Sequence, residues 1–164
     1  MRLATLALAA LTLAAAPRLS AQDLGIAVGS AAPAAAVQTL DGKPADLSQW
    51  IGRTPVVLQF WATWCANCKA LEPAMTAAAR RHAGRVQFVG VAVSANQSPE
   101  RVRRHLARNP LPFPMVYDHD GAATEAYEVP ATSYVVVIDR AGKVVYTGVG
   151  GDQDVEAALR KAGA

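Results

Sequence analysis

The chain has 164 residues, of which 52% are hydrophobic, and a formal net charge of +3. That length suits one domain able to bury a core without staples. Arg2 and Arg18 lie in the leading segment, so the remainder is close to neutral, and binding of nucleic acid by bulk charge is excluded.

The opening "MRLATLALAALTLAAAPRLSAQ" has the pattern of a secretory signal: Arg2, an apolar run from Leu3 to Ala16, and a small-residue cut site at Leu19-Ser20-Ala21. The apolar run is shorter than the roughly 20 residues of a membrane span. Residues 1–21 are therefore read as a cleaved signal, an uncleaved anchor being the alternative. The mature protein is then expected outside the cytoplasm, with no stable membrane insertion. Residues 22–35, rich in Ala, Gly and Pro, read as a linker or loosely attached lead-in, and 36–164 as the folded domain.

"AAVQTLDGKPADLSQW" predicts a hairpin turning at Asp41-Gly42 and ending at Trp50. "TPVVLQFWA" is a continuous apolar run of strand length, expected in the middle of a sheet. A helix is predicted over Cys65 to Arg81, with Leu71, Met75, Ala78 and Ala79 on one face, Gly84 as a stop, and a kink or break at Pro73. "VQFVGVAVS" gives a second buried strand. "SPERVRRHLARN" gives a helix capped by Ser98, with Pro99 at its first position. The basic residues Arg101, Arg103, Arg104 and Arg108 are not interleaved with aromatics and read as a solvated face. "FPMVYD", "GAATEAYEV", "SYVVVID", "RAGKVVYTGVG" and "DVEAALRKAG" follow as short strand, short helix, two strands of a hairpin, and a closing helix. Alternation followed by a hairpin implies an α/β fold with a mixed sheet covered by helices. "DHDG" at 118–121 reads as a strand-ending turn rather than a cation site.

The only two cysteines, Cys65 and Cys68, sit where the buried strand meets the helix. Free N–H groups and the dipole at the helix start stabilise an anion there, so Cys65 is the expected attacking thiolate, with Lys69 adding positive charge. Cys68, one turn on, is within disulfide reach and is the expected resolving thiol. Other readings remain open. A bridge closing so short a loop contributes only about 2 kcal/mol of chain entropy, which makes it a poor staple. Structural zinc needs two more ligands, and His82, His105 and His119 are scattered along the chain. Soft thiolates can hold Cu(I), with Met75 as a further donor.

"VVLQFWATWCANCKALEP", with "TLDGKPADLSQW" before it and "FPMVYDHDG", "AYEV" and "VVVIDRAGKVVYTGVGG" after it, resembles the secreted TlpA-like and ResA-like thiol-disulfide oxidoreductases of the thioredoxin superfamily. The resemblance spans most of residues 30–162. It implies a thioredoxin-like fold with an N-terminal hairpin and a central insert at about residues 94–127. It also implies dithiol-disulfide exchange with protein thiols and disulfides, without cofactor or metal. A periplasmic reductase is indicated, fed by a membrane electron donor, with cytochrome c maturation as an example of its use. Trp64 and the segment Thr132-Ser133 would border the active site.

The chain departs from that family in three places. Gln59 stands where thioredoxins bury an acid. Leu71 stands where ResA-like proteins carry a glutamate, Glu72 being one position late. Ser133, after Thr132, falls where a cis-proline is expected, the alternative being a slipped loop in which Pro130, three residues earlier, takes that role. A cis bond to serine costs about 3 kcal/mol against under about 1 for proline, so a trans bond is expected.

Overall fold

The computed structural model describes residues 24–164, so the expected signal segment, residues 1–21, lies outside the described residues. Seven strands form one mixed sheet: β1 (Ala36–Thr39), β2 (Pro44–Asp46), β3 (Val56–Trp61), β4 (Gln87–Val93), β5 (Met115–Asp118), β6 (Tyr134–Ile138) and β7 (Val144–Val149). Their spatial order is β2-β1-β5-β4-β3-β6-β7. The β3–β4 and β4–β5 pairs are parallel, and the remaining pairs are antiparallel. The helices are α1 (Ala66–Arg81), α2 (Pro99–Arg108), α3 (Ala122–Ala126) and α4 (Val155–Lys161).

Alternation along the strands divides the core. Val57 of β3 and Val135 and Val137 of β6 pack with Leu71, Met75 and Ala78 of α1 and Leu159 of α4. Val56, Leu58, Phe60, Val136 and Ile138 point the other way, into the cluster that contains Val102 of α2 and Ala123 of α3. All six residues of β3 are buried, as a strand covered by helices on both faces requires. Each fully buried large side chain contributes about 1.5–3 kcal/mol of transfer free energy.

The expected hairpin forms, with Val37 paired to Ala45. A single 3-10 turn follows over Leu47–Trp50, capped by Asp46, whose carboxylate accepts from Ser48 N–H at 2.8 Å. The expected insert holds α2, β5 and α3, and β5 enters the sheet between β4 and β1. Ser98 caps α2 through the Arg101 amide. Asp118, fully buried, accepts from Ala123 N–H, Thr124 N–H and Thr124 Oγ1, so the "DHDG" turn serves to start α3. In the basic cluster, Arg103 pairs with Glu100 and donates to the Leu40 carbonyl, while Arg101, Arg104 and Arg108 are exposed.

Two expectations need correction. The lead-in is tied down over residues 24–35: Ile26 is buried and its N–H lies 3.1 Å from Tyr134 Oη, while Gly29, Ser30 and Ala32 hydrogen-bond to Val144 and Gly142. One apolar anchor and a run of backbone bonds suffice, and a composition of Ala, Gly and Pro conceals both. Second, α1 continues through Pro73 as one helix of 16 residues. The only donor lost there is the one that would have reached the Lys69 carbonyl. Both residues are exposed, which leaves that carbonyl on the side of the helix open to solvent.

The far end of α1 is fixed to α4. His82, buried, lies 3.0 Å from Glu156 Oε2, and Arg81 pairs with Glu156 Oε1 at 2.7 Å. Arg85 lies 3.2 Å from His82 Nδ1, which must therefore accept, leaving Nε2–H to donate to Glu156.

Candidate active site

The chain leaves β3 at Trp61 and turns at once into α1. Cys65 N–H bonds to the Ala62 carbonyl at 3.1 Å, and Cys65 itself is the N-cap of the helix. Its Sγ accepts from Cys68 N–H at 3.0 Å, the interaction that holds a thiolate at a helix start. No acidic residue occupies the first turn. Cys65 and Cys68 are joined as a disulfide with their Cα atoms 5.2 Å apart, and both are buried.

Gln97 holds the turn from the other side. Its Oε1 accepts from Thr63 N–H at 2.9 Å, its Nε2 donates to the Val93 carbonyl, and its own carbonyl accepts from Tyr117 Oη at 2.8 Å. Trp64 projects beside the disulfide at 45% exposure, an unusual position for so large an apolar ring, with its Nε1 donating to the Ala95 carbonyl. It is therefore anchored at one edge and open to a partner on its face.

A cavity of about 450 Å³ opens beside both cysteines. Gln59, Glu72, Met75 and His105 contribute to its wall. Gln59, at 5% exposure, presents a neutral amide near Cys68 where an acid was absent from the sequence. Trp61 Nε1 and Thr63 Oγ1 also belong to this wall region, and among the described residues neither has a hydrogen-bond partner. The His105 ring lies 5.7 Å from the Trp61 ring, tilted by 48°.

On the neighbouring strand, the bond between Thr132 and Ser133 is trans, and no cis peptide bond occurs among the described residues. Ser133 takes the start of β6 with φ 64°, fully buried, and its N–H donates to the Phe60 carbonyl at 2.9 Å. Its Oγ donates to the Gly150 carbonyl at 2.8 Å, and its carbonyl accepts from Gly150 N–H. Pro130 stays outside this network. Thr132, half-buried, precedes it. The Gly150-Gly151 loop lies against the cysteine helix: a Cβ added at Gly151 would fall 2.8 Å from Ala70 Cβ and 3.1 Å from the Asn67 carbonyl oxygen.

Cys65, Cys68 and Trp64 thus share the start of α1, and Ser133 enters through the β3–β6 ladder. Gln97, Gln153 and Tyr146 were not legible, since hydrogen bonds between distant loops carry no periodic signal.

The family model described as Redoxin matches residues 27–162. The chain belongs to the Redoxin family. It is 32% identical to the thioredoxin-like protein YneN of Bacillus subtilis, over 76% of this chain and 73% of that one. It is 31% identical to the thiol-disulfide oxidoreductase ResA of Geobacillus thermodenitrificans, over 82% of this chain and 78% of that one. Among solved structures, a secreted Mycobacterium tuberculosis disulfide oxidoreductase homologous to DsbE of E. coli superposes with a TM-score of 0.65 at 27% identity. That match covers 79% of this chain and 95% of the other. The thioredoxin-like fold expected from the sequence is the fold found, and the protein is a thiol-disulfide oxidoreductase of the thioredoxin superfamily built on a Cys-x-x-Cys pair.

Proposed function

We propose that this Redoxin-family protein works outside the cytoplasm as a reductase of protein disulfides, with Cys65 as nucleophile and Cys68 as resolving thiol. The observation that carries the reading is the placement of Cys65 Sγ as N-cap of α1, accepting from Cys68 N–H, beside an exposed Trp64. In the reduced protein the Cys65 thiolate attacks one sulfur of a client disulfide. An S–S bond to the client forms, and the client's second sulfur leaves as a thiolate that takes up a proton. Cys68 then loses its proton to solvent through the adjacent cavity and attacks Cys65 Sγ. The mixed disulfide breaks, and the Cys65–Cys68 disulfide forms as the second client thiol is released. Two electrons pass to the client, and a membrane-bound dithiol donor returns two to restore the thiols.

Direction and location are read from the residues between the cysteines and from the leading segment. Ala66 and Asn67 between the cysteines are neutral and give no push toward the very low thiolate pKa of a strong oxidant. The leading segment has the signal pattern, and the Mycobacterium tuberculosis neighbour is described as secreted. Cytochrome c maturation is one process in which such a reductase would keep client thiols reduced. Trp64 and Thr132 would border the docked client.

Substitution tests the roles: Cys68→Ser should accumulate client mixed disulfides, and Cys65→Ser few or none. Equal trapping by both would overturn the assignment. Equilibration against thiol buffers tests direction, a potential near or below about −270 mV supporting a reductase and one near about −120 mV a disulfide donor. A second reading, Cu(I) carriage by the two thiolates, is favoured by the buried Met75 in the same cavity wall. Stoichiometric copper retained through purification, with poor disulfide exchange, would select it.

A further inference from the structure

Ser133 is a non-glycine residue in left-handed backbone conformation, which costs about 1–2 kcal/mol and persists only where the surroundings enforce it. Ser133's own bonds to Phe60 and Gly150 are joined in this by a side chain, Gln153, in the loop between β7 and α4. Its Nε2 donates to the Ser133 carbonyl at 3.0 Å and to the Gly150 carbonyl at 2.9 Å, using both amide hydrogens. Its Oε1 accepts from Tyr146 Oη at 3.1 Å, so the orientation of the amide is fixed. Burial first, and then Asp154 and Asp152, push the Tyr146 phenol up, which keeps it protonated as a donor. A Cβ at Gly148 would collide with Tyr146 Oη and Gln153 Oε1, so the strand leaves that space to the pair.

The amide therefore joins two loops that meet beside the disulfide. One carries Thr132, whose backbone N–H and C=O have no hydrogen-bond partner among the described residues, while every backbone polar group of Ser133 is engaged. The other carries Gly151, which abuts Asn67 between the two cysteines. A free N–H and C=O at the start of a strand are the groups through which an extended peptide adds to a sheet edge.

We propose that Gln153 is a positioning residue: it holds the Thr132-Ser133 and Gly150-Gly151 loops in the arrangement that docks an extended protein substrate across Cys65. This rests on the reading of the site as one that exchanges with protein disulfides. Gln153 does not touch the reacting sulfurs. Its effect falls on substrates long enough to lie along both loops, and small disulfides, which need only reach Cys65, bypass it.

The test compares the full chain with Gln153→Glu, which keeps the side chain's shape but replaces the donor with an acceptor facing two carbonyls. Reduction of insulin, a protein disulfide, and of Ellman's reagent, a small one, are followed together with the potential of the cysteine pair. The expected result is a KM for insulin raised about three- to tenfold, part of the effect of the two lost hydrogen bonds being absorbed within the loops, with kcat for insulin and the rate with Ellman's reagent changed less than about twofold. Tyr146→Phe, which removes only the orienting hydroxyl, should give the same split in smaller measure and serves if Gln153→Glu does not fold. An unchanged insulin KM, equal losses with both substrates, or a shifted potential would overturn the inference alone. A wild-type protein that reduces Ellman's reagent but not insulin would overturn it together with the functional reading on which it rests.

Discussion

Replacing Ser133 by proline restores the residue type that the resemblance leads one to expect, and the geometry says it will destabilise this protein. Proline holds φ near −65°, whereas Ser133 sits at 64°. The substitution removes the N–H that donates to the Phe60 carbonyl at 2.9 Å, and leaving that buried acceptor unpaired costs about 1–3 kcal/mol. The change in φ also turns the residue-133 carbonyl away from Gly150 N–H and Gln153 Nε2, two bonds of about 0.5–1.5 kcal/mol each. The loss is then roughly 2–6 kcal/mol, a large part of the 5–15 kcal/mol that holds a domain together. Ser133→Ala loses only the Oγ bond to a carbonyl that Gln153 still serves, about 0.5–1.5 kcal/mol. Ser133→Gly loses the same bond but relieves the left-handed strain, so it should be nearly neutral. Urea unfolding of the oxidised proteins, with midpoint and slope fitted separately, orders the three. A proline variant as stable as wild type would refute the reasoning, since it would mean that the loop adopts a second arrangement at no cost.

Gly151→Ala should destabilise by about 1–3 kcal/mol through overpacking against Ala70 and the Asn67 backbone, and should slow exchange by shifting the cysteine helix. Parallel unfolding and insulin-reduction assays check it, and an unaltered midpoint would mean that the loop yields freely. Glu156 is held below the usual glutamate range, first by the hydrogen bond from His82 and, against the opposing effect of burial, by the neighbouring charge of Arg81. A depressed carboxylate contributes stability that is present above its unfolded pKa and lost as pH falls through its folded value. Glu156→Gln should therefore cost under about 1 kcal/mol at neutral pH, as the group is part-exposed, with the gap to wild type closing in acid. Thermal melts across pH test this, and a gap that widens in acid would contradict it. Reducing the disulfide should lower stability by up to about 2 kcal/mol of chain entropy, offset by about 0.3–1 kcal/mol from the thiolate at the helix start. Unfolding with and without dithiothreitol measures the balance, and a reduced form more stable than the oxidised one would reverse the proposed direction of electron flow.

What could be read in the chain, and what could not, divides by the range of the interaction that determines it. β3 and β6 declared themselves because strands covered on both faces must be continuously apolar, and Cys65 because a thiol at a strand-to-helix junction has one local electrostatic setting. Ser98 and Gly84 were legible for the same local reason. Pro73 misled because the penalty of proline inside a helix depends on whether the carbonyl it orphans meets water, a property of the tertiary surface. The lead-in misled because its order comes from Tyr134, more than a hundred positions away, and from backbone bonds that any composition can make. Ser133 is the sharpest case. Its identity looked like a defect in a known pattern until Gln153, twenty positions later, supplied the constraint. Substitution at one member of such a pair is uninformative without the other, so the strain at Ser133 and the amide of Gln153 have to be read as one element of the site.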